Sequence, residues 1–398
     1  MGKNASDVLI ETIMGWGVDT VFGIPGDGIN GVMEALRERK DRIRFIQTRH
    51  EEGAAFMACG YAKYTGRLGC CLATSGPGAI HLLNGLYDAK TDQAPVLAIT
   101  GQTFSDLQGS MFQQDVNTTL LFQDVAGYNQ EVINPLQVEM LANEACRRAL
   151  NDRAVSHISF PVDYQDASAD GHGSMHAIKH MTTNTWDCTA NAPAMEDLEA
   201  AAKILNGASR PVILVGQGAL RARAEVIELA ELLGAPIVKA LLGKAVVADD
   251  HPYCTGGLGL LGTAPSVTAM EDCDAILLIG TSFPYMEFLP KHDQAVGIQI
   301  DDKADRIGLR YPVEVGLVGD SKVTLQALLP LIVRNENRKF IEKIQGDVKG
   351  WHELMLTRER EETPIKPQQI ARVLSDLATD DCIVSTDSGT ITSWIARH

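Results

Sequence analysis

Three short apolar runs, at residues 20–23, 69–73 and 211–215, each end in a glycine-bearing turn that opens onto a helical pattern. A chain that leaves a strand, folds a helix and returns to another strand builds parallel sheets with the helices laid on both faces. The apolar periodicity extends this alternation through residues 6–165. It predicts helices at 8–16, 29–39, 53–64 and 79–89, and strands at 20–23, 44–48, 69–73 and 96–100. The expectation is an α/β protein built of doubly wound parallel-sheet domains. The 36 glycines and the 6% aromatic content suit a fold with many tight turns where ligands approach backbone.

A second unit repeats the pattern, with strands expected at 211–215, 236–240, 275–279 and 297–300 and a helix at 222–233. A polar stretch with Gly171, Gly173 and three histidines separates the two and reads as a linker. The predicted boundaries are a first domain over 1–168, a linker over 169–192, a second domain over 193–332 and a charged linker over 333–362. Residues 363–398 read as the start of a third α/β unit, with a helix at 367–377, a strand at 382–385 and a helix running to the end. Its apolar residues Ile370, Val373, Leu374, Leu377, Ile383 and Val384 are expected to be partly uncovered.

Charge and cysteine usage narrow the function. With 35 Lys+Arg against 51 Asp+Glu, the 398-residue chain carries a net charge of −16, which disfavours nucleic acid and anionic membrane as partners. Eight cysteines with no CxxC spacing give neither a disulfide framework nor a zinc site, so no metal ligands are assigned and a reducing cytoplasm is expected. No apolar run approaches membrane-spanning length, and residues 1–10 lack the apolar core of a signal peptide.

Chemistry concentrates where strands end. Glu51 and Glu52, in Arg49-His50-Glu51-Glu52-Gly53, either complement the dipole of the next helix or stand where open α/β sheets bind ligands. Thr74-Ser75-Gly76-Pro77-Gly78 and Gly23-Ile24-Pro25-Gly26-Asp27 are either ordinary turns or backbone cradles. His50 and His81 read as hydrogen-bonded structural residues, no carboxylate being spaced to orient either. Gly216-Gln217-Gly218-Ala219-Leu220-Arg221 lacks the third glycine of a dinucleotide fingerprint. Arg221 either meets a diphosphate or extends into solvent. Asp301, ending a strand, either accepts from a ribose or adenine group or caps the next helix at Lys303.

Taken in order, GIPGD, RHEEGAAFMACGYA, TSGPGAIHLLNGLYDA and MFQQD resemble the amino-terminal, pyrimidine-binding domain of thiamine-diphosphate enzymes of the acetolactate synthase and pyruvate oxidase subgroup. KALLGKAVV, GTSFPYMEFLP, IQIDDKADRIG and LVGDSKVTLQALLPLI are most similar to bacterial quinone-reducing pyruvate oxidases, and His81 stands where many relatives have Asn. The resemblance implies that Glu51 hydrogen-bonds a pyrimidine nitrogen of thiamine diphosphate and favours the imino tautomer that deprotonates the thiazolium carbon. The resulting ylid attacks the keto acid. A carboxyl group in this role works best with its pKa raised, and Ala54, Ala55 and Phe56 would supply the desolvation.

The resemblance also implies that Pro25 and Gly26 line the pyrimidine pocket, that Thr74, Gly76, Pro77 and Gly78 pack beside it, and that Phe112 and Gln113 reach the substrate. It makes the second unit an FAD-binding domain, with Gly216, Gly218, Arg221, Gly257, Leu258, Gly259, Leu260, Gly280, Thr281, Ser282, Phe283, Pro284 and Asp301 on the flavin. The third unit would be a diphosphate-binding domain, but no Gly-Asp-Gly and Asn pair for Mg2+ follows Pro367; only Asp387-Ser388-Gly389-Thr390 resembles its first phosphate-side loop. The expectation is thus a fragment of a pyruvate-oxidising, homodimeric or tetrameric enzyme that would not bind the cofactor tightly alone. The alternatives are acetolactate-synthase-like joining of keto acids and a non-catalytic short paralogue.

Overall fold

The computed structural model describes residues 3–169 and 190–398; the chain divides into two units, 1–188 and 189–398. Most of the expected linker, residues 170–189, therefore lies outside the described residues.

The first unit runs α1 (Ala5–Gly15), β1 (Thr20–Gly23), α2 (Asn30–Glu38), β2 (Arg44–Gln47), α3 (Glu51–Thr65), β3 (Gly69–Ala73), α4 (Pro77–Thr91), β4 (Val96–Gln102), α5 (Thr118–Leu121), β5 (Tyr128–Glu131), α6 (Val138–Asp152), β6 (Val155–Pro161) and α7 (Val162–Gln165). Its six strands lie in the order β2-β1-β3-β4-β6-β5, and every pairing is parallel. Alternation along β3 sends Cys70 and Leu72 to one face, against α1 and α2, and Cys71 and Ala73 to the other, against α3 and α4. The adjacent cysteines thus belong to different cores. The α3 face is built of Ala54, Ala55, Ala58, Cys59 and Ala62, all buried. Residues this small let the helix lie close to sheet and neighbour; a Cβ on Gly85 of α4 would meet Ala55 Cβ at 2.6 Å.

The second unit runs α8 (Met195–Gly207), β7 (Pro211–Val215), α9 (Arg223–Leu233), β8 (Ile237–Lys239), β9 (Cys254–Gly257), α10 (Ala264–Asp272), β10 (Ala275–Ile279), β11 (Val296–Asp301), β12 (Val315–Val318), α11 (Ser321–Leu328), α12 (Lys339–Glu359), α13 (Pro367–Leu377) and α14 (Thr390–Arg397). Its order is β12-β11-β10-β7-β8-β9, again all parallel. Read from β9, this is the 3-2-1-4-5-6 order of dinucleotide-binding sheets, whereas the first unit has the 2-1-3-4 start of the flavodoxin type. Ile213, Val215, Leu277 and Ile279 face one core and Val212, Leu214, Ile276 and Leu278 the other. Full burial of each such side chain contributes roughly 1.5–3 kcal/mol.

The expected strand at 382–385 does not form. An extended segment becomes a strand only when a neighbour takes its amide and carbonyl groups, and here none is paired with it. The apolar faces named above are open as expected, with Leu377 and Ile383 each 76% exposed. Among the described residues, no helix is long and apolar enough to cross a membrane.

His157 on β6 ties the sheet to its edge. It is fully buried, stacks on Phe122 at 3.9 Å, and bonds Thr100 Oγ1 through Nε2 at 2.8 Å and Asn129 Oδ1 through Nδ1 at 2.7 Å. Because the Asn129 amide oxygen can only accept, Nδ1 carries the proton and Nε2 accepts from the threonine hydroxyl. Burial lowers its pKa to about 3. The unfolded chain therefore binds a proton that the native state refuses between pH 6.5 and about 3, and stability is lost as pH falls through that window. We expect urea midpoints to fall on acidification from pH 6.5 to 5, by the equivalent of ~2 kcal/mol from this group alone. In His157→Gln, that part of the slope should vanish while stability at pH 7 drops.

Candidate active site

In open α/β sheets, ligands bind beyond the carboxyl ends of the strands where the strand order reverses. In the first unit that point lies between β1 and β3, and the glycine turns at 23–28 and 74–78 meet there. A Cβ on Gly28 would stand 2.4 Å from Ser75 Oγ, and one on Gly101 would stand 2.1 Å from the Gly28 carbonyl oxygen, so neither position admits a side chain. The fully buried Gln165 pins the first turn. Its amide donates to the Gly28 and Phe160 carbonyls at 2.9 and 3.0 Å, and its oxygen accepts from Gly31 N at 3.0 Å. Thr74 Oγ1 accepts from Gly28 N at 3.1 Å and joins the two turns.

Glu51 is the first residue of α3, following β2. The His50 ring caps the helix by accepting from Glu52 N at 3.2 Å, and both glutamates lie in the positive first turn, so the dipole reading of the sequence holds. The side chain of Glu51 is 14% exposed. Its Oε1 faces Gly78, where an added Cβ would stand 3.5 Å away, and its Oε2 lies 3.0 Å from His81 Nδ1. Ala54 and Ala55 are buried in the core of α3 and α4, while Phe56 is 41% exposed.

The pairing of Glu51 with His81 corrects the expectation that no carboxylate orients either histidine. Thirty residues separate them in sequence, but the close α3 and α4 packing brings them together. The His50 and His81 rings also lie 4.5 Å apart at 31°, and Glu52 Oε2 is 3.8 Å from His50 Nδ1. Gly76, with φ +62, starts α4 with Pro77 at its first turn. Gly76 and Gly78 are buried, Thr74 and Gly26 half-buried, and Pro25 and Pro77 exposed.

The segment before α5 supplies another contact that the sequence concealed. Gln113 is exposed, and Phe112 makes an edge contact with Phe104 at 6.4 Å. Gln114, the next residue, takes φ +62 and accepts from Ser75 Oγ at 2.7 Å, with its Cβ 2.8 Å from the place a Cβ on Gly76 would occupy. The MFQQD segment is thereby latched onto the TSGPG turn. A non-glycine residue in the left-handed region is uncommon, and such strain tends to collect at functional sites.

In the second unit the order reverses between β7 and β10, and Gly216 and Gly280 face each other there. A Cβ on Gly216 would be 2.3 Å from the Gly280 oxygen, and Gly218 N donates to that oxygen at 3.0 Å. Leu258, Gly259, Thr281 and Phe283 are buried, Gly257, Gly280 and Ser282 half-buried, and Gly218, Arg221, Leu260 and Pro284 exposed. Gly259, with φ +97, lies against the Phe283 ring, and Ser282 Oγ accepts from Arg306 at 3.0 Å.

Asp301 is 5% exposed and accepts from Lys303 N at 3.1 Å, closing a turn before the short helix Ala304–Arg306 rather than capping it, since Lys303 itself is that helix's cap residue. Burial pushes its carboxyl up to about 6. Lys239, also buried, donates to the Val247 carbonyl at 3.0 Å and pairs with Asp249, which Lys244 joins at 2.6 Å. This clamp fixes the KALLGKAVV segment beside the crevice.

Residues 3–121 match the thiamine pyrophosphate enzyme N-terminal TPP binding domain, and residues 198–328 match the thiamine pyrophosphate enzyme central domain. A protein of Bacillus subtilis (strain 168) described as thiamine pyrophosphate-containing, YdaP, is 42% identical over 100% of this chain and 68% of its own length. Pyruvate oxidase of Lactiplantibacillus plantarum is 31% identical over 99% of this chain and 65% of its own. A protein of Methanococcus aeolicus described as an acetolactate synthase large subunit is 29% identical over 99% and 69%. The chain thus spans about two thirds of the length of these relatives. With both matched domains folded as six-stranded parallel sheets and the strongest of these likenesses running the whole length of the chain, the protein belongs to the thiamine pyrophosphate-dependent enzyme family.

Proposed function

We propose that this chain carries the pyrimidine-side and flavin-side parts of an enzyme that oxidatively decarboxylates pyruvate with thiamine diphosphate and FAD. The observation that carries the reading is Glu51. Its little-exposed carboxylate stands at the switch point of the first sheet, with one oxygen toward a glycine that leaves room and the other on His81. Thiamine diphosphate, when bound, supplies an electron sink for the carbon–carbon bond that breaks. Glu51 holds a proton at one carboxyl oxygen and exchanges it with a ring nitrogen, the task for which a positioned carboxyl group is suited. His81, on the other oxygen, fixes the carboxyl plane. Gly76 and Gly78 let Gln114 and Thr74 pack close against the turn, and the latched MFQQD segment sets Phe112 and Gln113 at the rim.

FAD would accept the electrons in the second unit. The 3-2-1-4-5-6 strand order, the bare Gly216 and Gly280 backbones and the strand-ending Asp301 all suit a dinucleotide. Mg2+ prefers six oxygen ligands, and among the described residues the one clustered set of metal-ligating side chains is His50, Glu51 and His81, which is not an oxygen set. The outward positions of α3 and α4, with Phe56, Met57, Tyr64, Ile80 and Tyr87 exposed, suit association of two copies. The described cysteines, all free thiols, suit a reducing cytoplasm. The likeness to acetolactate synthase large subunits supports a second reading, keto-acid carboligation, in which the flavin takes no electrons.

The first test is pyruvate-dependent dye reduction by the purified protein supplied with both cofactors and Mg2+. We expect turnover from a protein of its relatives' full length that contains this chain, and there a loss of about 10²–10⁴-fold in kcat for Glu51→Gln. Acetolactate formation without dye reduction would favour the second reading. A further expectation concerns Asp301, whose pKa is raised from 3.8 to about 6, so that native stability is lost as pH rises through that interval. Asp301→Asn should make the flavin-free protein more stable above pH 6, by up to roughly 3 kcal/mol in denaturant titrations, while weakening FAD retention on gel filtration.

A further inference from the structure

His50, Glu51 and His81 bring one ligand atom each to within 4.8 Å of one another. Two imidazoles and a carboxylate with an open side toward solvent are the donors of a three-ligand zinc centre, in which bonds of about 2.0–2.2 Å leave a fourth position for water. Glu51 Oε2 and His81 Nδ1 are already 3.0 Å apart, and the two rings lie 4.5 Å apart. His50 and His81 have 54% and 45% of their side chains exposed, so an ion can reach both rings, and one that ligates His50 takes the place of its cap on Glu52 N.

We propose that, in the protein free of thiamine diphosphate, these three residues bind a divalent transition-metal ion of the Zn2+ class. The oxygen-poor donor set disfavours Mg2+ and Ca2+. An ion held there occupies the carboxylate that the proposed proton exchange uses, so metal and pyrimidine exclude each other. That consequence rests on the reading of Glu51 given above; the binding itself does not.

The test is calorimetric titration of Zn2+, and visible absorption of Co2+, with the whole chain stripped of metal and cofactor and its thiols alkylated. We expect one ion per chain and a cobalt spectrum of low coordination number. His50→Gln and His81→Gln should each weaken Zn2+ at least about tenfold. Unchanged circular dichroism would establish that both histidine variants fold. Undiminished binding in the His50→Gln, His81→Gln double variant would place the ion elsewhere, for instance on His172, His176 and His180, and overturn the proposal. Absence of stoichiometric binding to the unsubstituted chain would overturn it as well. Because no thiamine is present, neither result depends on whether Glu51 serves the proposed reaction.

Discussion

At the reversal of each sheet, two stretches of backbone pass closer than a methyl group allows. In the first unit Gly101 passes the Gly28 carbonyl, and in the second Gly216 passes that of Gly280. These contacts set how near the strand-ending turns lie to each other. A side chain at Gly28 or Gly216 would push the turns apart and with them the groups they carry. The buried Gln165 acts in the same place by hydrogen bonding, satisfying turn backbone that the sheet cannot reach.

The two units share a construction but not a strand order. An order beginning 2-1-3 gives the first unit a crevice flanked by a short edge strand, from whose end α3 starts with its glutamates. The 3-2-1-4-5-6 order gives the second unit a longer crevice with strand ends on both sides, and Lys239 and Asp301 occupy those ends. At the first reversal the Glu51 carboxylate faces Gly78 and His81. The second presents bare backbone with a carboxylate held near neutrality. Different orders of the same elements thus place different side chains at the two reversals.

Much of this was legible in the sequence. The strands at 20–23, 69–73, 211–215 and 275–279 were readable to the residue, because each is a buried apolar run stopped by glycine or a polar turn. β5, with Tyr128, Asn129, Gln130 and Glu131, carries no apolar signal, since an edge strand with little burial needs none. The segment at 382–385 has the opposite character: it is apolar enough to read as a strand, yet nothing pairs with it. Glu51 stood out by its place after a strand, whereas its bond to His81 depends on the packing of α3 on α4. Gln114 could not be told from Gln113 by type. What separates them is a left-handed backbone and the Ser75 hydroxyl, neither of which composition encodes.

The crossing of α3 and α4 at Ala55 and Gly85 has one more implication. Because the helices touch through small residues, their separation is set by backbone and not by the side chains at their ends. Position 81 therefore works as an interchangeable fitting on a rigid mount. The backbone at position 81 is held at a set distance from Glu51, so exchanging the side chain there changes the carboxylate's partner while leaving the helix packing in place.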